Sequence, residues 1–351
     1  MQTALFDYDL PPELIAQEPL AARDQARLLH ATPEGHAHRH VTDLPGLLEP
    51  GDLLILNRTR VFPARLLGHR ATGGAHEVLL VHPEEGASQA SAGERWRALV
   101  RGKVHVGTVI GFAESTCTVE AVHADGTRTV RFPPGIHVLA LCERIGHVPL
   151  PPYIARADQP ADRERYQTVF ADSPGSVAAP TAGLHLTEAL IAAIQARGVE
   201  LARVELAIGP GTFKPVDCEQ LEDFVIHAER CVCPAATVAA ITACHARGGR
   251  VVAIGTTALR TVESAARQPG GLAPYEGWTS LFLHPPQTLQ VCDGLLTNFH
   301  MPRSSLLMAV SCLTGIERLL ELYAIAVAEH YRFLSYGDCM LYLKPSAMTV
   351  S

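Results

Sequence analysis

Four segments in the second half of the chain combine small, hydroxylated and titratable residues in a way that plain scaffold seldom needs. Residues 173–186 read SPGSVAAPTAGLHL. Backbone N–H groups of such a loop, close to a helix start, meet carboxylates or phosphates. His185 stands just before that helix, either as a proton-transfer group or as a capping or core histidine. The second segment, IGPGTFKPV over 208–216, follows a strand, where ligands of open α/β sheets bind. It lacks the GK[ST] ending of a Walker loop. Lysine occurs only at positions 103, 214 and 344, against 26 arginines. Lys214 in a Gly/Pro loop is therefore either a compact charge or tunable amine at a site, or a plain surface lysine. The third segment, VVAIGTTALRTVES from Val251, ends a buried strand and opens a helix at Thr256 and Thr257, whose hydroxyl and N–H groups suit a nucleoside or carboxylate. Arg260 one turn on pairs an acidic ligand group or is satisfied by Glu263 at i+3. The fourth, LLTNFHMPRSSLLMAVSCL from Leu295, sets Asn298, His300 and Arg303 before an apolar helix and is echoed by YRFLSYGDCM from Tyr331. None of the four alone specifies a reaction.

The elements that must hold these segments follow from composition and pattern. A chain of 351 residues fits about two domains. At 47% apolar and 19% charged residues it is globular, which excludes a disordered chain. A net charge of −7 argues against a coat-like nucleic-acid binder but leaves room for a local patch. No apolar run reaches the roughly 18 residues of a membrane helix, and MQTALFDYDLPPEL has no signal-peptide character, so a cytoplasmic protein is expected. Nine scattered cysteines suit reduced thiols, and the CxC at Cys231 and Cys233 has no second pair at finger spacing, so no metal site is expected.

After a short helix start at Pro11-Pro12, a strand is predicted near 26–30, and DLLIL at 52–56 reads as a strand buried on both faces. Over 61–148 short β-rich runs recur (VFPARLL, HEVLLV, RWRALV, TVIGF, CTVEAV, RTVRF), separated by turns such as Asp125-Gly126, with one helix at 138–144 and a flexible loop at 84–93. That texture suggests a small barrel or sandwich. Beyond 149, helices at 187–197 (Thr187 as cap, Gly198 as stop), 235–247, from 256, 304–313 and 316–330 alternate with strands at 199–208, 250–254, 280–283 and 339–343. The expected architecture is an α/β domain with a mostly parallel sheet, formed by 1–60 and 149–351, interrupted by an all-β barrel insert at 61–148. From 58 to 149 there are 11 basic and 8 acidic residues, a net of +3, so the remainder carries −10. Asn57, Arg58, Arg60, Arg65 and Arg70 fall in an acid-free stretch, either a solvated rim or a phosphate groove.

The chain carries, in order, FDYDLPPELIAQEP at Phe6, GDLLILNRTRVFPARL at Gly51, GHVPLPPYI at Gly146, DRERYQTVFA at Asp162 and GSVAAPTAGLHL at Gly175. VELAIGPGTFKPV at Val204, HAE at His227, AIGTTALRTVES at Ala253, LFLHPP at Leu281, LLTNFHMPRSSLLM at Leu295 and YRFLSYGDCML at Tyr331 complete the series. In that order the motifs resemble the S-adenosylmethionine:tRNA ribosyltransferase-isomerase family of the queuosine pathway. Small departures are Leu186 in place of Phe, Arg303 in place of Lys, and an atypical stretch at 230–234. The resemblance implies an α/β domain with an inserted β-barrel. It also implies transfer and isomerisation of the ribosyl group of S-adenosylmethionine, a co-substrate, with no metal. The acceptor is 7-aminomethyl-7-deazaguanine at the wobble position of a tRNA with a GUN anticodon. The implied products are epoxyqueuosine-tRNA, methionine and adenine, and a monomer is expected.

That chemistry needs a base for the carbon beside the sulfonium, for which His185, His227, His300 and, as a carboxylate, Glu229 are candidates. Thr181, Thr256 and Asn298 are candidate donors to the departing adenine, and Lys214 or Arg260 the cation for the methionine carboxylate. Gly183 and Thr257 complete the expected cofactor contacts. Asn57, Arg58, Arg60 and Arg65 are the expected tRNA contacts. Two rivals remain: a methyltransferase or other transferase using the same co-substrate, and a non-catalytic tRNA-binding protein.

Overall fold

The structure, a computed structural model, describes residues 1–71, 73–84, 93–213 and 215–346. The strands are, in chain order, β1 (Arg27–Ala31), β2 (His36–His40), β3 (Leu53–Asn57), β4 (Thr59–Val61), β5 (Arg65–His69), β6 (Ala75–Pro83), β7 (Arg95–Arg101), β8 (Val109–Gly111), β9 (Thr116–Val122) and β10 (Arg128–Arg131). They continue as β11 (Ser173–Ser176), β12 (Glu200–Leu206), β13 (Glu229–Cys233), β14 (Val251–Ile254), β15 (Tyr275–Thr279), β16 (Gly294–Asn298) and β17 (Cys339–Leu343).

Nine of them form one sheet in the order β15-β13-β12-β3-β14-β16-β17-β1-β2. The centre, β12-β3-β14-β16, is parallel throughout. β17 is antiparallel to β16 and parallel to β1, and both outer flanks are antiparallel, so the sheet is mixed. The apolar run LLILN explains why β3 is central. Leu53 and Ile55 pack into the core on one face, under the helices Ala235–Ala246, Thr256–Ala266, Ser305–Thr314 and Ile316–Ala328. Leu54 and Leu56 pack on the other face, against Leu190 and Ile194 of the helix Glu188–Ala196. Removing any one of these leucines opens a cavity costing about 2–5 kcal/mol.

The helix Thr256–Ala266 is buried along its entire length although it carries Arg260, Glu263 and Ser264. Each polar group is answered internally. Glu263 takes the Arg267 guanidinium and accepts backbone N–H bonds from Gln290, Val291 and Cys292, and Ser264 Oγ bonds Thr279 Oγ1 at 2.6 Å. A buried polar helix is tolerable only with this completeness.

The β-rich section closes into a barrel, β10-β7-β6-β5-β8-β9. Inward residues of successive strands, among them Leu66, Val78, Leu80, Trp96, Ile110, Val119 and Val130, fill its core, and the helix Val138–Ile145 packs Val138 and Leu141 onto the same cluster. The Asp125-Gly126 turn joins β9 to β10, with Gly126 at φ +85°. The loop read over 84–93 lies mostly outside the described residues.

One element is displaced from its expected place. The strand read at 280–283 is not one; the edge strand is β15, Tyr275–Thr279, pairing antiparallel with β13. Gly277, at its centre, interrupts the β-rich pattern, and a Cβ there would lie 2.9 Å from the Tyr275 hydroxyl. The LFL run instead contributes Leu283 to the core and the Leu281 carbonyl to Arg260 Nε at 3.1 Å. Among the described residues no helix is long and apolar enough to cross a membrane.

Candidate active site

Because β12, β3, β14 and β16 run parallel, the loops leaving their carboxyl ends converge on one edge of the sheet. A cavity of about 370 Å³ opens there. β14 leads through Gly255, at φ +91°, straight into the helix whose first residues are Thr256 and Thr257. That left-handed turn favours glycine, and it brings both threonines to the cavity wall. β16 ends in Asn298 and runs on to Phe299 and His300, all three lining the cavity. The 173–186 segment adds Pro180, Thr181 and Ala182. The walls are otherwise apolar, with Ile208, Phe299, Leu306 and Leu334 among them, as expected of a pocket that buries a heterocycle and orients it with a few polar groups.

Of the four candidate bases, only His300 lines this cavity. It is buried, and its Nε2 lies 2.7 Å from Thr297 Oγ1. Burial pushes its pKa down to about 3, so the ring is neutral and keeps a lone pair at physiological pH. His185 sits behind the wall rather than on it: its Nε2 lies 3.2 Å from Asn298 Nδ2, and burial brings it to about 4. The 3₁₀ turn Thr181–His185 is the reason, since it directs its first residues to the cavity and its last away. Gly183 is a packing glycine and not a ligand contact; a Cβ there would lie 2.8 Å from both Phe170 Cζ and Thr168 Cγ2.

Glu229 and Arg260 neutralise each other in a buried ion pair. Glu229 also accepts Gly209 N–H at 2.8 Å and Thr212 Oγ1–H at 3.0 Å, so it pins the IGPGTF loop. Neither Glu229 as a base nor Arg260 as a free cation survives this arrangement, and Glu263 is not the partner of Arg260. His227 is exposed, at a small side pocket next to Gly211 and Thr212. Lys214 lies outside the described residues.

Tyr153 and Ser335 are among the cavity residues to which the spacing does not point. Tyr153, pushed up to about 12 by burial, meets Ser335 Oγ at 2.7 Å. Both lie within quoted motifs, GHVPLPPYI and YRFLSYGDCML, so motif membership was the available signal. Next to Ser335, Leu334 holds φ +70°, a conformation that L residues rarely adopt and that costs of order 1–3 kcal/mol. It is held there by Leu334 N–H to Phe299 O at 3.1 Å and by Asn298 Nδ2–H to Leu334 O at 3.0 Å.

A second, wider groove of about 870 Å³ lies between the barrel and the α/β part, with Arg65, Arg101, His147 and Arg156 along it. Pro152 lines both spaces. Arg65 is paired with Glu77 at 2.9 Å, and Arg58 with Asp172 and Glu205 at 3.6 and 3.5 Å, so acids absent from the local sequence arrive from other strands. Arg60 and Arg101 are exposed and have no ion-pair partner among the described residues. Asn57 is no RNA contact: it is buried, its amide donating to Leu206 O and Thr257 Oγ1, each at 3.1 Å. It braces Thr257 from below.

Residues 3–342 match the family described as queuosine biosynthesis protein. The chain is 50% identical over 345 residues to the S-adenosylmethionine:tRNA ribosyltransferase-isomerase of Anaeromyxobacter sp. strain Fw109-5, covering 97% of this chain and 99% of that one. It is 48% identical to the protein of that name from Rhodospirillum rubrum, covering 97% and 98%. The crystal structure of S-adenosylmethionine tRNA ribosyltransferase from Thermotoga maritima, 34% identical and covering 97% of this chain and 100% of its own, superposes with a TM-score of 0.55. The chain belongs to the queuosine biosynthesis protein family.

Proposed function

We propose that this chain transfers and isomerises the ribosyl group of S-adenosylmethionine onto 7-aminomethyl-7-deazaguanine at the wobble position of a GUN-anticodon tRNA, releasing methionine and adenine. The observation that carries it is the cavity at the carboxyl ends of the parallel strands. It gathers threonines, Asn298 and a neutral His300 from separate motifs into one mostly apolar space. S-adenosylmethionine occupies that space as a substrate. His300 removes the proton from the carbon beside the sulfonium; a neutral imidazole is the form that can do so. Adenine then leaves, the sugar rearranges, and the neutral aminomethyl nitrogen attacks, expelling methionine and leaving the epoxide.

Thr181, Thr256 and Thr257 hold the sugar and the amino-acid end through hydroxyl and helix N–H groups. Lys214 is the remaining cation for the methionine carboxylate. The anticodon loop lies in the groove between barrel and α/β part, close enough through Pro152 for the wobble base to reach the cavity. Arg60 supplies an unpaired charge for phosphate, with Arg58 and Arg65 released to phosphate only by giving up their carboxylate partners. The working units are 1–60 with 149–351, which does the chemistry, and 61–148, which grips the RNA. The enzyme acts as a monomer in the cytoplasm.

Incubation of carboxyl-labelled S-adenosylmethionine with enzyme and precursor tRNA tests the reading. Free labelled methionine and adenine, in step with modified tRNA, are expected. Labelled S-adenosylhomocysteine with methylated tRNA makes it a methyltransferase, and binding without turnover makes it a tRNA-binding protein.

A further inference from the structure

Asn298 was read from sequence as a donor to adenine, but the hydrogen bonds of its amide argue the reverse. Nδ2 faces three groups: Leu334 O at 3.0 Å, Asp338 O at 3.4 Å and His185 Nε2 at 3.2 Å. Two of these are backbone carbonyls, which only accept. The amide flip that would turn Oδ1 toward them is therefore excluded by lone-pair repulsion, and the assignment of N and O follows from chemistry. His185 must then accept at Nε2, which puts its proton on Nδ1, and the ring also hydrogen-bonds the Arg23 backbone. The nitrogen of Asn298 is thus fully committed within the protein.

Oδ1 is buried and has no partner among the described residues. A buried amide oxygen without a donor costs about 1–3 kcal/mol. Two further costs sit around the same side chain: Leu334 in its left-handed conformation, and the buried neutral His185. Together they leave one buried acceptor without a donor in a residue that lines the cavity.

We infer that Asn298 Oδ1 accepts a hydrogen bond from the exocyclic amine of the adenine, and that His185 is the positioning residue that holds the amide in the orientation this requires. The inference rests on the reading of the cavity as the S-adenosylmethionine site. It makes Asn298 a specificity-determining residue for the 6-amino group and explains why His185, out of reach of the reacting carbon, stands behind it.

The test compares kcat/KM for S-adenosylmethionine and for its analogue lacking the 6-amino group, in the complete assay with an anticodon stem-loop. Any difference in leaving-group chemistry is common to all enzyme forms, so the ratio between enzymes isolates the contact. Wild type is expected to favour the 6-amino substrate by at least about tenfold more than Asn298→Ala does. His185→Gln, which keeps an acceptor, retains most of that preference, and His185→Leu loses part of it. An equal preference in wild type and Asn298→Ala overturns the inference. Should Asn298→Ala not fold, Asn298→Ser replaces it in the same comparison with the same overturning result, and equal preference in wild type, His185→Gln and His185→Leu overturns the positioning role. Failure of wild type to release adenine from S-adenosylmethionine itself overturns the underlying reading instead, and the inference with it.

Discussion

The two ends of the central parallel strands are finished in opposite ways. At the amino end, Asp52, fully buried, clamps Arg250 through bonds of 2.7 and 3.2 Å, and accepts the backbone N–H groups of Arg250 at 3.0 Å and Glu49 at 2.9 Å. Every lone pair of that carboxylate is used. At the carboxyl end an amide oxygen is left unpaired, a histidine is held neutral, and a leucine sits at positive φ. One edge spends its polar groups on tying β3 to β14; the other keeps them for something absent from the chain. An unpaired amide oxygen and a strained leucine on one edge, opposite a carboxylate whose lone pairs are all used, mark where the fold gives up stability for binding.

The contrast can be broken from either side. The largest effect is expected at the open edge: His300→Ala lowers turnover by roughly a hundred- to ten-thousandfold. Steady-state kinetics beside a thermal melt would show whether activity and stability separate. At the closed edge the order reverses. Asp52→Ala strands the Arg250 guanidinium and costs about 3–5 kcal/mol, read as a shift of the denaturant midpoint, while the residual folded enzyme keeps its kcat. A large kcat loss at unchanged folded fraction would erase the distinction between the edges.

Acid sharpens it further. His185 and His300 have folded pKa values lowered to about 4 and about 3, below the 6.5 of an unfolded histidine. Below pH 6.5 the unfolded chain binds protons that the folded one refuses, so stability falls as pH drops from 6.5 toward 4. Each histidine contributes a slope of up to about 1.4 kcal/mol per pH unit. His300→Gln should flatten the melting-temperature profile in that window. The smallest effect belongs to the groove: Arg101→Ala should reduce the slope of log affinity against log salt for tRNA by about one.

Much of this architecture was readable in the chain. The DLLIL and VVAI runs, flanked by helical periodicity, announce buried parallel strands, and the change of texture near Val61 announces the barrel. The four loops that carry the cavity stood out because Gly, Pro and Thr cluster where strands end. What spacing could not supply was the partner of each polar side chain. Glu229 reaches Arg260 from 31 residues away, which no local rule anticipates. Asn57 sits in a basic stretch yet points into the core, because β3 continues one residue further than its apolar run. Gly183 and His185 fall on the far side of a 3₁₀ turn whose direction depends on what packs against it. In each case the residue type was legible and its orientation was tertiary.

In the proposed reaction the cavity on the open edge removes a proton from the carbon beside the sulfonium, and His300 takes it. Tritium placed on that ribosyl carbon of S-adenosylmethionine measures this directly, as label released to water during turnover on precursor tRNA. The account predicts release in step with adenine formation by wild type, and loss of release in His300→Gln together with loss of turnover. Tritium release at the wild-type rate from His300→Gln, or adenine formation with the label wholly retained, would contradict it.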